Sequence, residues 1–159
     1  MRVFLAGLFG LVAVALCVAA PAKDGDPLRP GTVWKGKLTQ TGNHQGVPDP
    51  ETFDCVFTVT KRDGETFEAE LFEKTPALKL TYIVRGTVKP VDKDKPEKGY
   101  AVAFESTDAK DVENTGVITK IPYTATAQGN RLKGTWKHPA NEDGTTLEGA
   151  FDFELGKKE

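Results

Sequence analysis

Two histidines and a scatter of carboxylates are the side chains best placed to do chemistry in this 159-residue chain. His44 is followed closely by Asp49 and Glu51, and His138 by Glu142 and Asp143, with Asp108, Asp111 and Glu113 between the two groups. Imidazole and carboxylate together could hold a divalent ion, but their spacing matches no metal-ligand signature. No metal and no other cofactor is therefore expected. Cys55 is the remaining reactive type. Alternation puts it on one face with Phe53 and Phe57, where a thiol has a raised pKa and behaves as a small hydrophobe. The chain carries no nucleophile motif or phosphate loop, and the inner faces lack paired carboxylates. General acid–base chemistry inside the fold thus has no players, and the expectation is a protein that is not an enzyme.

The elements that must position these residues are strands. Residues 122–137 read as two strands joined by Gly129-Asn130, a Gly-first pair suited to a type II′ turn. The register then sets Ala127 against Leu132, Ala125 against Gly134 and Tyr123 against Trp136, all on one face. Further alternating runs cover residues 32–41, 53–61, 65–73, 78–89, 99–106 and 146–155. For the second and third strands, parity favours a three-residue turn at Arg62-Asp63-Gly64, pairing Val59 with Phe67, Phe57 with Ala69 and Cys55 with Leu71. Eight strands at regular spacing predict an all-β fold, an eight-stranded antiparallel meander closed into a β-barrel. A two-sheet β-sandwich is the alternative. Four strands repeat a large residue, then x-Gly-x, then another, centred on Gly36, Gly86, Gly134 and Gly149. Inward glycines of this kind point to tight bends or a narrow interior.

Of the 12 aromatics beyond residue 22, 11 fall on the inner face. Trp34, Tyr82, Tyr100, Tyr123 and Trp136 are the candidates for contact with a small apolar ligand. The competing reading is a core filled by its own rings, since an eight-stranded barrel is barely wider inside than its side chains. In a meander, alternate connections share an end. One end collects the loops with His44, Asp49, Glu51, Asp108, Asp111, Glu113, His138, Glu142 and Asp143, and these connections sum to a net charge of −4. The opposite end has shorter turns and sums to zero. Loops on a rigid scaffold are where function concentrates, so the long-looped acidic end is the candidate binding end.

Residues 1–22 read as a signal peptide: Arg2, an apolar run to Ala20, then Ala20-Pro21-Ala22 as a cleavage site. Residues 23–31 form a polar leader, 32–156 a single barrel domain and 157–159 a polar tail. Cleavage leaves 137 residues, a net charge of −3 and Cys55 as the one cysteine, so no internal disulfide can form. The expected location is secreted or periplasmic. No membrane span follows the signal peptide, and a mildly acidic chain gives no footprint for nucleic acid.

Trp34 in the first strand just after Gly31, the long loop that follows and the eight-strand meander together resemble the calycin group, the avidin- and lipocalin-type barrels. The group's Gly-x-Trp is here Gly31-Thr32-Val33-Trp34, while Gly134-Thr135-Trp136 has that spacing in the seventh strand. The resemblance implies a barrel that binds a ligand or a partner. The leading expectation is an exported, non-enzymatic barrel that binds a small apolar ligand or an extracytoplasmic protein. The alternatives are a structural or envelope-associated module with a filled core and, third, a metal-dependent enzyme.

Overall fold

Alternation carries directly into pairing. The computed structural model describes residues 26–42, 50–74, 79–110, 119–138 and 146–156. Within them run β1 (Val33–Gln40), β2 (Glu51–Asp63), β3 (Thr66–Lys74), β4 (Lys79–Pro90), β5 (Tyr100–Lys110), β6 (Pro122–Gln128), β7 (Arg131–Lys137) and β8 (Glu148–Leu155). They form a closed antiparallel barrel in chain order, β8 returning to pair with β1 from Trp34↔Leu155 to Leu38↔Phe151. Closure leaves no free edge. The fold is the expected meander barrel, not the sandwich. The signal peptide and the polar tail lie outside the described residues.

The β6–β7 hairpin has the register that its sequence dictates, with Ala125 opposite Gly134 and Tyr123 opposite Trp136. Gly129 has φ +57°, the positive value that a type II′ turn needs at its first central position. The β2–β3 hairpin departs from expectation. Its turn is Gly64-Glu65, with Gly64 at φ +53°, and Asp63 faces Thr66. A β-bulge at Thr60 adds one residue to β2 and restores the inner-to-inner match that the shorter turn would have broken. Val59 therefore faces Ala69, Phe57 faces Leu71, and Cys55 faces Glu73.

Each of the four repeated glycines stands opposite an aromatic: Gly36 with Phe153, Gly86 with Phe104, Gly134 with Phe151 and Gly149 with Trp136. A Cβ at Gly134 would lie 2.5 Å from Cζ of Phe151 and closer still to the Thr124 carbonyl oxygen. The glycines let neighbouring strands fold tightly together while a ring covers the exposed backbone. At Gly149 the same crowding involves the Thr39 carbonyl, which accepts the Trp136 indole N–H at 3.1 Å.

Residues 26–31 of the leader are part of the structure. Leu28 is fully buried in the core, and the Pro27 carbonyl accepts the Trp34 indole N–H at 3.2 Å. The bulge turns Arg62 to the same side as Phe67, and its Nε donates to Asp26 Oδ2 at 3.1 Å, both side chains being largely buried. This clasp seals the end that carries the β2–β3 and β6–β7 turns. Elsewhere the outward positions carry cross-strand ion pairs, among them Arg131–Asp152, Lys133–Asp152, Lys137–Glu148, Lys110–Glu70 and Lys37–Asp54. Among the described residues no helix is long and apolar enough to cross a membrane.

Candidate functional site

The interior is occupied by stacked and edge-on rings. Phe57, Phe67 and Phe104 meet at centroid distances of 5.3–6.2 Å. Phe104 stacks on Tyr123 at 4.6 Å, and Phe151 links Tyr123 to Phe153. Such packing fills the middle of the barrel with protein. The five aromatic candidates sit within this frame. Trp34 is fully enclosed and held by the leader, Trp136 is bonded across to Thr39, Tyr82 and Tyr123 are buried, and Tyr100 is half-buried against the core.

At the opposite end to the clasp, the alternation of β3 runs on past Phe67, Ala69 and Leu71 to place Glu73 inside. Glu73 is 8% exposed, between Cys55 of β2 and Leu80 of β4. Burial alone pushes its carboxyl up from 4.5 to about 7. Tyr82 and Tyr123 are pushed up as well, first by burial and then by the charge of Glu73. Cys55 follows the same causes in the same order, and its thiol donates weakly to the Phe53 carbonyl at 3.7 Å. Among the described residues no side chain or main-chain donor hydrogen-bonds the Glu73 carboxyl. Four weak acids are thus buried toward this end, and the inner face carries one carboxylate, Glu73, which the sequence reading did not place there.

The loop candidates are only partly brought together. His44, Asp49, Asp111, Glu113, Glu142 and Asp143 lie outside the described residues. Glu51 and Asp108 are not loop residues: Glu51 begins β2 opposite Gln40, and Asp108 is exposed within β5 opposite Ile83. The reason for the second is a bulge at Thr107, which extends the pairing of β5 to Lys110. His138 directly continues β7, its N–H donating to Leu147 at 2.7 Å. Its Nδ1 is buried and has no hydrogen-bond partner among the described residues. No three metal-ligating side chains converge among the described residues.

Sequence reasoning missed three residues that build this end or its counterpart. Glu73 was legible as the next position in phase after Leu71. Ser106, fully buried, accepts the Ile121 N–H at 3.0 Å and anchors the start of β6; its phase with Phe104 was also in the sequence. Leu28 carried no signal, being one apolar residue amid charge and proline. Two solvent-open clefts of about 790 and 560 Å³ run along the outer wall, beside Arg62 and Arg85 and beside Thr124 and Thr135, and neither reaches Glu73. Compared with known proteins, the chain matches no family model, no curated protein and no solved structure.

Proposed function

We propose that the chain is an exported, non-enzymatic binding barrel, calycin-like in layout, which takes a small ligand at its long-looped end. The observation that carries this reading is the contrast between the two ends. One is sealed by Leu28, Trp34 and the Arg62–Asp26 clasp. The other keeps a buried carboxyl with Tyr82 and Tyr123 in a position that folding alone does not reward. A rigid wall, one plugged end and one chemically equipped end are the parts of a binding container.

The ring-filled middle favours a second reading, a structural module with no ligand. Intrinsic fluorescence separates the two. Trp136 reports on the equipped end and Trp34 on the sealed one, so the Trp34→Phe variant leaves a single useful reporter. Titration of that variant with a panel of small aromatic and aliphatic probes should change Trp136 emission saturably. A flat response across the panel would leave the structural module as the surviving reading.

A further inference from the structure

We infer that the cleft on the outer wall beside the β2–β3 turn is a second binding site, for a small organic anion: a carboxylate carried on an aryl or short alkyl body. It lies at the sealed end and is independent of any binding at the long-looped end. The bulge at Thr60 builds it. Without the extra residue, Thr60 would face Glu68 and Lys61 would fall in phase with the inward Phe67. With it, Lys61 faces Glu68 and Glu68 faces Arg85, one outward row across β2, β3 and β4. Re-aiming a side chain in this way is a recurrent use of bulges beside sites.

The row is unbalanced. Lys61 Nζ lies 3.1 Å from one oxygen of Glu68 and Arg85 Nε 3.4 Å from the other, so two cations share one carboxylate. Glu105, opposite Arg85 on β5, makes no ion pair with it among the described residues. Both cations are largely exposed, and Glu68 is half-buried between them. The cleft beside the row encloses about 790 Å³, within the roughly 300–1,000 Å³ of small-molecule sites. Pro30, Phe67 and Gly86 add apolar lining, and the charged lining is three cations to two carboxylates. Of these, Arg62 is committed to Asp26 and to the Thr66 carbonyl. A carboxylate suits the remaining pair, since the Arg85 guanidinium offers a planar fork to two oxygens and the Lys61 ammonium adds a point charge. Exposed ion pairs contribute little, so exchanging Glu68 for a ligand costs little. Glu68 holds, with the protein's own carboxylate, the place that the ligand's would take.

The test follows amide NMR shifts of the isotope-labelled full-length protein during titration with phenylacetate, its neutral counterpart phenylacetamide, and acetate. Phenylacetate should shift the amides of Lys61, Thr66 and Arg85 saturably, and the other two probes should bind at least about tenfold more weakly. Arg85→Gln should lose about tenfold or more in phenylacetate affinity. Glu68→Gln, which removes the competing carboxylate, should instead gain about threefold or more. Glu70→Gln, whose partner is Lys110, is the control and should leave the affinity unchanged. The inference is overturned by the absence of saturable shifts at those three residues, by phenylacetate binding no tighter than phenylacetamide or acetate, or by weaker binding in Glu68→Gln. None of these results touches the long-looped end, on which Trp136 emission reports separately.

Discussion

Glu73 makes a pH signature that can be read without any ligand. Its carboxyl holds a proton in the folded chain up to about pH 7 but releases it near 4.5 when exposed. Between those values the folded state binds more protons than the unfolded one, so this residue's contribution to stability declines as pH rises. The difference is about 3 kcal/mol over the whole interval. Urea unfolding of the natural protein and of Glu73→Gln at a series of pH values should show the Gln variant gaining by about that amount from pH 4.5 to 8. A constant gap between the two would mean that Glu73 is well solvated or paired. The sequence exposed the phase of Glu73 but not its fate. A strand can end at any residue, and only the pairing of Leu80 and Cys55 around Glu73 keeps it inside.

Among the elements, the β6–β7 hairpin was fully legible because its turn, its alternation and its length agree on one register. The β2–β3 hairpin was not. Two solutions satisfy the same parity, a longer turn or a bulge within the strand, and no residue type at Thr60 distinguishes them. The repeated glycines were legible as a constraint, and the ring over Gly134 is that of its direct cross-strand neighbour, Phe151. Because backbone as well as ring would meet an added methyl, even alanine should be costly there. Gly134→Ala should lose about 1–3 kcal/mol and Gly149→Ala at least as much, since the Thr39 carbonyl is the closest of all the obstructing atoms. Denaturant midpoints would measure both. A neutral Gly149→Ala would show that β1 and β8 lie further apart than described.

At the scale of the whole molecule, eight evenly spaced alternating segments were enough to anticipate a closed barrel, whereas the seal at its short-turned end was hidden. Leu28 should nonetheless behave as a core residue. Leu28→Ala should cost about 2–5 kcal/mol and shift Trp34 emission to longer wavelength as water reaches the indole, both measurable in one unfolding experiment. Unchanged emission would place the leader outside the core. The seam between β1 and β8 has a consequence of another kind. Thr39 and Ala150, 111 residues apart, hydrogen-bond across it. A chain emerging from the ribosome therefore carries β1 with one side unpaired until the last strand arrives, and such distant pairings form slowly. Lys35 and Lys37, pointing outward from that waiting strand, disfavour its capture by another chain. Until β8 is made the polypeptide cannot close its barrel, and for that whole interval β1 and β7 each keep an edge without its final neighbour.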